Sequence, residues 1–392
     1  SGAVTPPFKG ELQAWDETAS PQQYRSAWAF YDGRGRTIQT QGLMESGTQL
    51  SVADTEYGPL GQTKWAGLPR LVTGAGGTYA TVTWASQPKT TMTYDALGRV
   101  TKTTFADGTC TGAVYDGLST SVFDQNLHKK EQVVDGFGRL VTVKEYSGAG
   151  GANCASAALT VYSTTSYAYD ERSLLTGVTD TAGNVTTIGY DGFGRKTSMN
   201  DPDMGAWSYV YNALSQLTGQ TDARGCIVNF AYDALSRITG KTYAGPAACG
   251  TTTAITYGYD STTGGNEGLG KRTSMTDGSG SASWVYNILG QLTKETKTIT
   301  GSGTFLTEWS YDAFSRLLWM KYPGGNAGQS GETVDYGYSS TGAVKSVTQH
   351  LAATPYVQST AYDESGRITQ RIFGNNLFQT NYTYFPYTTA NG

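Results

Sequence analysis

One phrase recurs along this chain: Tyr-Asp-x-x-Gly-Arg followed by an apolar residue. Full copies run from Tyr94, Asp95, Gly98 and Arg99 to Val100, and from Tyr362, Asp363, Gly366 and Arg367 to Ile368. A third, Tyr190, Asp191, Gly194 and Arg195, departs only at Lys196. Near copies carry Tyr31, Asp32, Gly35 and Arg36; Tyr211, Asn212 and Gln216; Tyr232, Asp233 and Arg237; Tyr286, Asn287, Gly290 and Gln291; and Tyr311, Asp312 and Arg316. Asp135, Gly138 and Arg139 repeat it without the Tyr. Chemistry is done once per domain, so a phrase repeated this often specifies architecture.

The spacing says which architecture. Tyr169, Tyr190, Tyr211 and Tyr232 stand 21 residues apart. A second turn signal, Asp-x-x-Gly, falls between them at 180–183 and 222–225, with a longer relative at 201–205. Turns therefore come every ten or eleven residues, which leaves strands of about six residues between them. Asp or Asn opens such a turn by accepting backbone N–H groups, and Gly supplies the positive φ. The chain is expected to be all-β, a run of consecutive antiparallel hairpins joined into one long curved ribbon. About 15 units are expected over 31–392, with residues 1–30 a lead-in in which Pro6, Pro7 and Pro21 disfavour a central strand.

Alternation within the strands supports this. Trp207, Tyr209 and Tyr211 share one face, as do Val228, Phe230 and Tyr232, Trp284 and Tyr286, and Trp309 and Tyr311. Hairpins in one register would align these rings as aromatic ladders. Insertions rich in Gly, Ala and Ser at 147–158 and 244–252 read as return loops on one edge of the sheet.

The copies also vary together. Where Asp becomes Asn, at Asn212 and Asn287, Arg becomes Gln, at Gln216 and Gln291. Arg never occurs in the phrase without Asp, so the two are expected to touch across the turn and lock it. A catalytic or metal-binding carboxylate would not tolerate this exchange, and no catalytic, metal or cofactor residue is assigned.

Charged residues make up only 15% and the net charge is −4, which argues against a nucleic-acid partner. No apolar run is long enough for a transmembrane helix. The two histidines, His128 and His350, lie in unrelated contexts and read as surface residues. The four cysteines lack metal or redox spacing. Cys226 follows a turn and Cys249 lies in the next return loop, so this pair is the candidate disulfide, with free thiols as the alternative. Without an initiating Met, and stopping just after another Tyr-containing strand, the chain reads as a piece of a longer protein.

The recurring phrase resembles that of YD-repeat, or Rhs-repeat, proteins: bacterial Rhs polymorphic toxins, wall-associated proteins, Tc toxin shell subunits and teneurins. The likeness covers 31–384. It implies a ribbon that spirals into a hollow shell, often around a C-terminal toxin. The expected function is then a non-enzymatic shell segment that encloses or scaffolds a polypeptide cargo. Its expected partner is the rest of its own longer chain, with a second copy pairing at an edge strand as another. The expected location is secreted or at the cell surface, at a bacterial envelope. The alternative is an adhesion or glycan-binding module using the aromatic rows on Trp207, Trp284 and Trp309. About 30 strands at about 4.8 Å each give a ribbon about 145 Å long, or a ring about 46 Å across. That is an open band of about one turn with two unpaired end strands.

Overall fold

The computed structural model describes residues 7–16, 23–45, 47–148, 154, 159–325, 328, 330–339, 341–352, 355–374 and 376–384. The loop at 147–158, apart from residues 147, 148 and 154, and the prolines Pro6 and Pro21 lie outside them. Thirty-one strands form a single antiparallel sheet, and the only helical turns among the described residues are Ala247–Cys249 and Thr263–Gly265.

The first ten strands are β1 (Phe8–Asp16), β2 (Gln23–Tyr31), β3 (Thr37–Leu43), β4 (Gln49–Tyr57), β5 (Thr63–Gly67), β6 (Arg70–Thr73), β7 (Lys89–Tyr94), β8 (Val100–Thr104), β9 (Cys110–Asp116) and β10 (Ser119–Phe123). From β7 to the last strand, Phe378–Asn381, consecutive strands pair with each other in turn. Most of the lead-in is already part of the ribbon. β1 pairs with β2 over nine residues, Phe8 opposite Tyr31 to Asp16 opposite Gln23. Pro7 falls just outside this strand.

The turn chemistry sets the hairpins. In the unit starting at Tyr94, the Gly98 N–H bonds the Asp95 carbonyl at 3.0 Å and the Asp95 N–H bonds the Arg99 carbonyl at 2.9 Å. Gly98 has φ +79°. This is a type I turn closed by a bulge, and it needs a left-handed residue at that position. The bulge shows in the register: Thr93 faces Lys102 but Tyr94 faces Val100. The same shift precedes Tyr169, Tyr190, Tyr211 and Tyr232.

One layer of sheet buries little. On Gly205–Tyr211 the Trp207, Tyr209 and Tyr211 face is half-buried, whereas Ala206, Ser208 and Val210 are exposed. The accessible surface is 22642 Å². A compact chain of this mass would expose about 15,000 Å², so the ribbon does not wrap a filled core.

Two small cores interrupt the single layer. β4 forks: Thr55–Tyr57 pairs with β5, and Gln49–Val52 with β6. Residues 74–84 then fold back over β2–β4, covering Trp28, Phe30, Leu50 and Val52 with Tyr79 and Ala80. Gly76 sits directly on the Trp28 ring, where a Cβ would come within 2.0 Å. The second core gathers Cys110, Phe123 and Cys154 under Leu127 and Leu159.

Candidate functional site: the repeating turn and the seam

The aspartate of the phrase is fully engaged within its own turn. Asp191 Oδ1 accepts the N–H groups of Phe193 and Arg195 at 2.9 and 3.0 Å, and Oδ2 accepts Arg195 Nε at 2.6 Å. Asp32, Asp95, Asp135, Asp233, Asp312 and Asp363 hold Arg36, Arg99, Arg139, Arg237, Arg316 and Arg367 in the same way, with Nε–Oδ2 distances of 2.7–2.8 Å. In the exchanged units the polarity of the contact reverses. Asn212 Nδ2 donates to Gln216 Oε1 at 2.5 Å, and Asn287 Nδ2 to Gln291 Oε1 at 2.7 Å. This explains why Arg is not found with Asn: the amide N–H of Asn would face the Arg Nε–H, donor against donor, whereas an amide can face Asp, as Asn184 does Asp180 at 2.8 Å.

The electrostatics follow. The Arg36 side chain, then its backbone N–H, hold the Asp32 carboxyl down at about 2. The Arg99 N–H lowers Asp95, and the Arg237 N–H lowers Asp233, in each case reinforced by the guanidinium. These are carboxylates fixed in their charged form, with both oxygens occupied.

The tyrosine and the arginine join one unit to the next. Tyr211 Oη donates to the Lys196 carbonyl at 2.9 Å, at the start of the strand that follows the preceding turn. Tyr94, Tyr190, Tyr232, Tyr311 and Tyr362 reach back to Thr63, Leu175, Leu217, Leu292 and Val344 in the same way, and Tyr286 does so to Arg272. Where the preceding turn carries Arg, its guanidinium lies over that tyrosine: Arg36 over Tyr57 at 4.4 Å, Arg195 over Tyr211 at 4.8 Å and Arg316 over Tyr338 at 4.3 Å. Arg195 Nη1 also donates to the Asn212 carbonyl at 3.1 Å. The first tyrosine of the phrase, Tyr31, lies against Gly10 of β1.

This differs from the expected aromatic ladders. Among the described residues the tyrosines of the phrase make no ring-on-ring pairs; a guanidinium lies between units where a second ring was expected. The tryptophans are engaged too. Trp284 Nε1 donates to Glu295 at 3.0 Å beneath the Arg272 guanidinium, and Trp207 Nε1 donates to the Met204 carbonyl.

Two disulfides pin return loops. Cys226 and Cys249 are joined, with Cα atoms 5.5 Å apart. Cys110 and Cys154 are joined as well, at 6.0 Å. The only sequence cue to the second bond is Gly112, whose missing Cβ leaves room for the Cys154 carbonyl; a Cβ there would come within 1.8 Å. His128 and His350 are exposed and lie against Asp124 and Asp335.

The ribbon also meets itself. Ser51 Oγ on β4 donates to the Glu364 carbonyl at 2.7 Å, across 313 residues of chain. Lys345 reaches Glu45 at 2.6 Å. Between them lies a half-open cavity of about 360 Å³ lined by Leu12, Ala27, Leu43, Met44, Thr341 and Tyr362. About two dozen strands separate the two sides of this seam, or about 115 Å of ribbon, giving a ring about 37 Å across. The sheet is open, as expected from the sequence, and its last units come to lie against its first. The end strands still do not pair with each other: the seam is made by turn tips against strands, not by a ladder.

Residues 169–203 match the family model of the RHS Repeat. This segment carries the RHS repeat. The ribbon has the fold of the solved TcdB2-TccC3-Cdc42 structure (TM-score 0.77, 17% identity) and of TcdB2-TccC3 (0.76, 18%). The Photorhabdus luminescens Tc holotoxin pore is similar (0.74, 18%). Each comparison covers 97% of this chain and 21% of the solved chain. At this identity the likeness is one of fold, and the chain spans about a fifth of the length of the chains it matches. No curated protein matches it.

Proposed function

We propose that this chain is a wall segment of a hollow RHS-repeat shell, serving a structural rather than a catalytic role. The observation that carries this is the seam: a single-layered ribbon with little core returns to its own start after one turn. The aspartates of the phrase are committed to their turns. The repeat and its Tc toxin neighbours fit an extracellular or secreted protein, and no helix among the described residues is long and apolar enough to cross a membrane.

The finer reading is that the wall encloses a polypeptide cargo, such as a toxin domain of the same longer chain. Only one face of the sheet can then look inward. Ser208 and Tyr209 are neighbours on opposite faces. A photo-crosslinking residue is placed at each in turn, in the chain carrying a polypeptide extension after Gly392. Enclosure predicts crosslinks to the extension from one position and not the other. Equal crosslinking from both, or none from either, contradicts it.

A further inference from the structure

The turns of the phrase stand in a row along one rim of the ribbon. In most of them the third position carries a large apolar side chain open to solvent: Leu97, Phe137, Phe193, Leu214, Leu235 and Leu289 are all exposed, Phe137 and Phe193 at 86% even with Arg139 and Arg195 against one ring face; Arg34 and Arg172 break the row. The opposite rim, made by the return turns, has its own exposed apolar group: Val161, Tyr162, Val185 and Met204. Scattered exposed leucines need no explanation, but a periodic apolar row at one edge does.

The period identifies the partner. Phe193, Leu214 and Leu235 lie on consecutive turns two strands apart, or about 9.6 Å. A surface that engages all of them at once must repeat with the same step, as the edge of another hairpin ribbon does.

The seam shows how such an edge is engaged. There the turns at 339–343 and 363–366 rest on the return-turn half of β3 and β4, at Leu43, Met44 and Ser51. These two turns carry Thr341 and Ser365 where the consecutive turns at 191–195, 212–216 and 233–237 carry Phe193, Leu214 and Leu235; Arg34 and Arg172 are the other polar residues at this position. The same row of turns is therefore an interface over its last two units and an uncovered, more apolar surface over the preceding ones.

We infer that the apolar turn rim docks on the return-turn rim of a second copy of this chain, stacking ribbons head to tail. The contact is heterologous, since the two surfaces lie on opposite edges, so each copy keeps one free rim and the stack can lengthen. The inference goes beyond the shell reading and does not depend on any cargo.

Sedimentation velocity over a concentration series tests it with three proteins. The unmodified chain should show a weight-average mass that rises with concentration. A rim variant, Phe137→Asp with Phe193→Asp and Leu235→Asp, should stay monomeric. So should a return-edge variant, Tyr162→Glu with Met204→Glu. All five side chains are exposed, so circular dichroism and thermal midpoint should be unchanged. Mixed together, the two variants should form a 1:1 dimer and stop there, because one supplies the only intact turn rim and the other the only intact return edge. An unmodified chain that stays monomeric throughout, a rim variant that still associates, or a mixture that remains monomeric would each overturn the inference.

Discussion

Arg195 and Tyr211 belong to different units yet share one contact: the guanidinium lies 4.8 Å from the ring centre while its Nε holds Asp191 at 2.6 Å. A turn-locking residue is thereby also the link to the next turn. In a repeat array, stability is the sum of unit terms and neighbour terms, and this arginine contributes to both. Arg195→Lys keeps the charge but loses the planar fork that reaches Asp191, Tyr211 and the Asn212 carbonyl together. It should cost about 1–2 kcal/mol. Tyr211→Phe, which loses only the bond to Lys196, should cost about 1 kcal/mol. A double-mutant cycle between Arg195→Ala and Tyr211→Ala in urea should return a coupling of about 0.5–1 kcal/mol; zero coupling would mean the stacking is incidental.

Gly112 should be intolerant of any side chain. The Cys154 carbonyl lies where its Cβ would be, and the clash is with backbone tied down by the Cys110 disulfide. Gly112→Ala should destabilise by about 1–3 kcal/mol and release titratable thiol. Gly219→Ala, whose nearest contacts begin at 3.6 Å, should leave the thiol count at zero. Equal behaviour of the two variants would show that Cys154 does not lie against Gly112.

A buried polar clamp holds residues 74–84 over β2–β4. Gln39 Nε2 donates to Asp54 Oδ1 at 2.5 Å and to the Ala80 carbonyl at 2.7 Å, while its Oε1 accepts the Ala80 N–H at 2.9 Å. Gln41 holds the Thr78 carbonyl and the Gly77 N–H, and Arg70 bonds both Asp54 and the Ala80 carbonyl. Gln39 is 1% exposed. Gln39→Leu strands these partners and should cost about 2–3 kcal/mol. Hydrogen exchange should speed up at Gly77 and Ala80, whose N–H groups the two glutamines accept, while the units around Tyr190 remain protected. Uniform exchange along the chain would contradict a local clamp.

Acid should weaken the ribbon within a defined window. The Asp32 carboxyl is held at about 2, chiefly by Arg36, and Glu131 at about 2, chiefly by the Tyr146 hydroxyl and then by Lys144 and Lys129. Their unfolded values are near 4. The unfolded chain thus binds more protons below about pH 4, and stability is lost as pH falls from there through about 2. The thermal midpoint should be flat above pH 5 and fall steeply below pH 4. The double variant Asp32→Asn with Glu131→Gln should lower the plateau and make the acid slope shallower. A slope unchanged by these substitutions would place the acid lability elsewhere.

The hairpins and their turns were legible because the turn residues carry their own signals: Asp191, Gly194 and Arg195 satisfy one another within five residues. The exchange of Asp and Arg for Asn and Gln even exposed a side-chain contact. The role of the tyrosine was not legible, since its partner is a backbone carbonyl such as that of Lys196 and leaves no mark on composition. Gln39 and Gln41 alternate like surface residues and are buried only because residues 74–84, which break the repeat, return over them. Cys154 was placed at an edge by its loop, whereas Cys154 itself lies against β9, and the cue lay 42 residues away at Gly112. Local chemistry was readable; contacts made by departures from the period were not.

The central claim is that one turn of ribbon closes on itself around an empty centre. Single-particle electron cryomicroscopy of the chain tests it in end-on averages. The account predicts a ring about 37 Å across, one sheet thick, with no density at its centre and an overlap at one point where Ser51 meets Glu364. A filled disc, or an extended ribbon with its two ends apart, would contradict it.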